Sequence, residues 1–185
     1  MDFFMQWSKS IASALAFATL AACAAGGASA PLRIRSAEID GAVLTTHLNW
    51  QPSTIVLDAL DNGIVLDFAF ELRAYGAAHF GWRRTLAQAE RHVELRYFPL
   101  SRRYQLRDLD RGETRSYAAR SLLVGALEEL RLDLPADWAA AGARGFALRV
   151  ELDRERLPGA LRLPALLSAD WQMSGEFSWP VAGAG

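Results

Sequence analysis

Reactive side chains are scarce in this chain of 185 residues. It has one cysteine, Cys23, so no disulfide can close within it. It has one lysine, Lys9, and apart from the histidines every other basic residue is arginine. The body of the chain therefore has no lysine for a Schiff base, a phosphate loop or general-base work. Arginine stays protonated and suits planar, bidentate contacts instead. Three histidines occur, His47, His79 and His92, and none pairs with another ligand at helical spacing. Such scatter carries no zinc signature, and no metal is expected. His92, on a strand face shared with Glu94 and Arg96, reads as a solvated position.

Other reactive patterns are missing too. No G-x-S-x-G elbow is present to expose a serine nucleophile. Asp108 and Asp110 have the spacing that opens a calcium loop, but the later ligands are absent, so Asp110-Arg111-Gly112 reads as a hairpin turn. No catalytic residue and no cofactor are expected. A net charge of −1 also argues against a polyanion partner, so nucleic acid is not expected.

The first thirty residues follow the layout of an export signal: weakly positive, then apolar, then small. The apolar run, Ile11 to Ala22, would rise only about 18 Å as a helix, short of the roughly 30 Å of a bilayer core. Leu20-Ala21-Ala22-Cys23 at its end resembles the lipobox of bacterial lipoproteins. That resemblance implies cleavage before Cys23, lipid on its sulfur and attachment to a membrane. Ala24 after the cysteine favours the outer membrane, with the domain facing the periplasm. The alternative is cleavage after Ala28-Ser29-Ala30 and a soluble periplasmic product. The expected organisation is a signal over 1–22, a flexible tether over 23–31, one β-rich domain over 32–181 and a frayed tail over 182–185.

Hydrophobic content of 51% with 10% aromatics is enough for a globular core. Alternation of apolar and polar residues dominates that domain. It puts Leu66, Phe68, Phe70 and Leu72 on one face, with Asp67, Glu71 and Arg73 on the other. "HVELRYF", "RYQLRDL", "GFALRVELD" and "DWQMSGEFSW" repeat the pattern, and "IRSAEID" and "AVLTTHLNW" pair through Asp40-Gly41. Helices are predicted in "PSTIVLDALDNG", capped by Ser53 and closed by Gly63, and in "SLLVGALEELR", capped by Ser121. The second carries Leu122, Leu123, Ala126, Leu127 and Leu130 on one stripe. "PADWAAAG" suggests a third, and "HFGWRRTLAQAER" is ambiguous between helix and strand. The fold class is mainly β at the α+β border: an antiparallel β-sandwich-like domain with two or three short helices.

"ALDNGIVLDFAFEL", "LRYFPLSRRYQL", "SLLVGALEEL" and the ending from Arg149 to Pro180 together resemble a family of exported proteobacterial proteins, the domain of unknown function 4390. The resemblance implies no activity, cofactor or catalytic residue; it does imply genes beside a sensor histidine kinase. The candidate interaction surface is the mixture of aromatics and arginines at Trp82, Arg83, Arg84, Arg102 and Arg103. Such a mixture can stack on, and hydrogen-bond to, an anionic or sugar-bearing partner. The expected role is a membrane-tethered periplasmic interaction module with an envelope protein as partner, serving envelope assembly or the neighbouring sensor. The alternatives are a binder of a lipid or glycan, and a hydrolase with a spatially assembled site.

Overall fold

The computed structural model describes residues 31–79, 82–138 and 141–181. In chain order it has β1 (Leu32–Asp40), β2 (Val43–Trp50), α1 (Thr54–Asp61), β3 (Leu66–His79) and β4 (Trp82–Phe98). Next come β5 (Arg103–Asp108), β6 (Thr114–Tyr117), α2 (Arg120–Glu128) and β7 (Glu129–Asp133). The chain ends with β8 (Gly145–Leu152), α3 (Gly159–Leu167), a short 3-10 turn (Ala169–Trp171) and β9 (Ser174–Pro180). The strands form two antiparallel sheets, one ordered β1-β2-β7 and the other β6-β5-β4-β3-β8-β9. This is the mainly β, sandwich-like class with three helices.

Strand parity makes the core. Leu66, Phe68, Phe70 and Leu72 point inward from β3, Val93 and Leu95 from β4, and Leu148, Val150 and Leu152 from β8. They meet Leu44, Leu48 and Trp50 of β2 and Leu130 and Leu132 of β7. The Trp50 and Phe68 rings meet edge to face at 5.4 Å. Gly175 brings β9 against β1: a Cβ there would sit 3.2 Å from the Leu32 carbonyl oxygen.

α1 follows its capping residues. The Ser53 side chain accepts from the Val56 amide, and Gly63 at φ +83° lets Gly63 and Ile64 donate to Leu60 and Ala59. The other helices correct the reading from sequence. α2 starts at Arg120 with Ala119 at its cap and no side-chain cap bond, so Ser121 does not cap it. Leu122 is over half exposed, while Leu123 and Leu127 carry the contact with the core. Leu130 belongs to β7, because β2 offers a strand partner from Glu129 onward. Pro135–Trp138 makes one turn, not a helix. The third helix is α3, with Pro164 inside it. From Trp82 onward the ambiguous stretch is strand, because β3 supplies a ladder along β4 that local helix propensity cannot match.

Two ends of the sandwich matter for function. Leu32, where β1 begins, pairs with Trp50, whose indole donates to the Met173 sulfur at 3.2 Å. Met173 accepts from Leu152 at the end of β8, so the β8–β9 connection with α3 lies at this proximal end. Leu66 pairs with Leu95, which puts the β4–β5 turn there too. β3 ends and β4 begins at the opposite, distal end, where Tyr75 pairs with Gly145.

Candidate functional site

The distal end carries an open cleft of about 340 Å³, lined by Tyr75, Arg83, Arg144, Phe146, Trp179 and neighbouring backbone. Its geometry follows from register. Tyr75 of β3 pairs with Gly145 of β8, which pairs with Pro180 of β9. A Cβ on Gly145 would lie 3.1 Å from the Trp179 carbonyl oxygen, so glycine is what permits this approach. Phe146 packs at 5.5 Å from Trp179, and Trp179 stacks at 5.7 Å on Phe177. All three rings are only part-buried. Arg83 reaches the cleft from β4, and Arg144 is held by the hydrogen bond that its backbone amide donates to the Tyr75 carbonyl at 2.7 Å. Among the described residues no carboxylate lines the cleft and neither guanidinium has an ion-pair partner. Two uncompensated guanidinium groups beside aromatic faces suit a carboxylate, sulfate or phosphate attached to a ring or an apolar segment.

A second depression, about 700 Å³ and wide open, runs between α1 and α2. At its floor the Tyr104 hydroxyl donates to Asp61 Oδ1 at 2.8 Å, and Arg120 reaches Asp61 Oδ2 at 2.5 Å. Burial, then the hydrogen bond to the Asp61 carboxylate, pushes the Tyr104 phenol up to about 12. The phenol is a fixed donor and a poor base. Because its folded value is raised, its contribution to stability is complete below about pH 10 and is lost as pH climbs through about 12. Urea unfolding at stepped alkaline pH should show Tyr104→Phe losing less stability across that window than the parent.

The wet face of the larger sheet holds a cluster that strand alternation conceals. Asp67 is 2% exposed, although parity sends it outward. Its Oδ1 lies 2.8 Å from His92 Nδ1, and its Oδ2 accepts from Arg156 at 3.0 Å. Arg156 also faces Asp153 at 3.5 Å, and the Asp153 amide donates to the Asp67 carbonyl. His92 is thus a part-buried partner of a buried acid, which corrects its reading as a solvated residue. Asp67, His92 and Asp153 present atoms close enough together for a cation. Arg156 already supplies positive charge between the two carboxylates. The second histidine nitrogen faces Glu90 at 3.3 Å. With both ring nitrogens against carboxylates and no serine hydroxyl bonded to either among the described residues, the arrangement is a staple joining β3, β4 and the loop before α3.

The residues singled out from sequence divide between the two ends. Arg83 and Arg84 are exposed at the start of β4, and Arg83 joins the cleft; the Trp82 side chain lies outside the described residues. Arg102 and Arg103 are exposed beyond the other end of β4, a strand of 17 residues. Such a strand spans roughly 50 Å, so the two pairs do not share one surface. Arg102 occupies the left-handed region at φ +51° in the β4–β5 turn. Cys23, the signal over 1–22, most of the tether and the tail over 182–185 also lie outside the described residues. Sequence reasoning missed Arg144, Phe146 as a cleft wall, and Arg156. The cue for Arg144 was an arginine one residue before a glycine that opens a strand. No curated protein and no solved structure matches the chain. Residues 30–180, which include both sheets complete, match the family described as a domain of unknown function (DUF4390), and the chain belongs to that family.

Proposed function

We propose that this protein is a non-enzymatic interaction module, exported and tethered to the outer membrane through lipid on Cys23, that holds an acidic envelope partner in its distal cleft. One observation carries the binding reading: Arg83 and Arg144 stand beside Phe146 and Trp179 in a cleft where no carboxylate lies among the described lining residues. The lipobox-like Leu20-Ala21-Ala22-Cys23 supports the tether. The partner is a protein segment rich in Asp or Glu, which the guanidinium forks grip while an apolar side chain covers the rings. A role beside a sensor kinase or in envelope assembly is consistent with that chemistry.

A photo-crosslinking amino acid in place of Ser178, on the rim of the cleft, tests the reading in cells. A discrete crosslinked envelope protein is expected, and the paired change Arg83→Ala and Arg144→Ala should reduce its yield at least about tenfold, the effect of losing two charge-assisted contacts. A product crosslinked to nothing discrete, or one indifferent to both arginines, would sink the proposal. The cleft volume also favours a second reading, an anionic glycan or lipid headgroup, since about 340 Å³ reaches the range of small-ligand sites. Native mass spectrometry of the purified protein separates the two readings by showing a bound small molecule or none.

A further inference from the structure

The proximal end of the sandwich gathers most of the large apolar side chains left in water. Among the described residues these are Leu163 at 71%, Leu166 at 46% and Leu167 at 85% on α3, Ile55 on α1, Leu100 in the β4–β5 turn, and Leu122 on α2. α1 and α3 both pack beside the 3-10 turn that precedes Met173, and the β4–β5 turn lies at the same end of the larger sheet. α3 packs on the core through Ala165 and Leu161, so Leu163, Leu166 and Leu167 are not needed to hold it.

Charge at this end has one sign where the leucines are. The stretch Leu157–Ala169 contains Arg162 and no acid, and the turn from Pro99 to Arg103 contains Arg102 and Arg103 and no acid. Asp58, Glu155 and Asp170 stand on neighbouring segments. Asp170 accepts from the Ser168 hydroxyl at 3.1 Å. Exposed leucines flanked by arginines on a short helix are the composition that settles into the headgroup layer of an anionic bilayer.

The start of the described chain decides between a bilayer and other occupants. The Pro31 carbonyl accepts from the Gln51 amide, at the same proximal end. Cys23 is eight residues upstream, and that length of chain reaches at most about 29 Å when fully extended. We infer that the proximal end docks on an anionic phospholipid surface, with Leu163, Leu166 and Leu167 of α3 in the headgroup layer and Arg102, Arg103 and Arg162 against lipid phosphates. This inference rests on the tether of the proposed function. It turns the distal cleft away from the membrane, toward soluble partners.

The test uses the full lipidated protein in vesicles of phosphatidylethanolamine with one quarter phosphatidylglycerol. Acylation occupies Cys23, so Leu167→Cys and, at the distal end, Thr85→Cys each give a single thiol for an environment-sensitive fluorophore. The label at position 167 should shift to the blue and lose most of its quenching by aqueous iodide, while the label at 85 should do neither. Vesicles of phosphatidylcholine alone should weaken the shift. Protein that floats with vesicles but leaves position 167 fully quenched overturns the docking and spares the tether. Protein that does not float overturns both. Disulfide-linked pairs formed through Leu167→Cys would put a second copy on this face and overturn the lipid assignment.

Discussion

Replacing Phe68 by alanine is expected to lower stability by about 3–5 kcal/mol, the range for removing a buried aromatic ring. Phe68 is fully buried on β3, edge-on to Trp50 across the sandwich, with Val93 and Leu152 as its strand partners. Ladders on both sides hold β3 in place, so the neighbours cannot collapse into the space and the cavity persists. Typical domains are stable by about 5–15 kcal/mol, so the loss is a large share of the total. In urea the unfolding midpoint should fall with little change in slope. Leu122→Ala, which trims a side chain over half exposed, should move the midpoint by no more than about 0.5 kcal/mol. Equal shifts from the two changes would mean that the sandwich interior is not where the sheets place it.

Arg156→Ala should cost more than the exposure of Arg156 suggests, about 1.5–3 kcal/mol and toward the lower figure because its guanidinium is half exposed. The reason lies with its partner. Asp67 is buried, and losing Arg156 leaves its Oδ2 without the donor that offsets its desolvation. Arg149→Ala breaks a shorter ion pair, 2.6 Å to Glu151, but both groups are open to water and the change should cost under about 1 kcal/mol. Asp67→Asn added to Arg156→Ala should recover part of the loss, since the buried charge goes with it. Denaturant titrations of the two single variants and the double variant decide the matter. If Arg149→Ala matches Arg156→Ala, the cluster has no special structural role.

Both expectations come from one property of the larger sheet, which is covered on its inner face and only partly wet on its outer one. Alternation in "IVLDFAFELR" was enough to foresee Leu66, Phe68, Phe70 and Leu72 inside. It was not enough for Asp67. Its parity points to solvent, but the loop carrying Asp153 and Arg156 folds back over it from residues far along the chain. Helices show the same division. α1 was readable because Ser53 and Gly63 act on their own neighbours. α2 lost its last turn to β7 because a distant strand, β2, competed for the same backbone groups. α3 was hidden by Pro164, a residue that locally argues against a helix.

Local chemistry determined what this protein is made from: period-two strands, glycine turns at Gly41, Gly63 and Gly112, one cysteine, and positive charge carried almost wholly by arginine. Those features act over a few residues, so they are legible in the order of the letters. Tertiary structure alone decided which ends coincide. Strand register brought Arg144 to Tyr75 and Arg83, parted Arg83 and Arg84 from Arg102 and Arg103, and gathered the leucines of α3 beside the start of the domain. Register is set by long-range pairing and by the common core that all strands must bury together, and no short window of sequence contains that constraint.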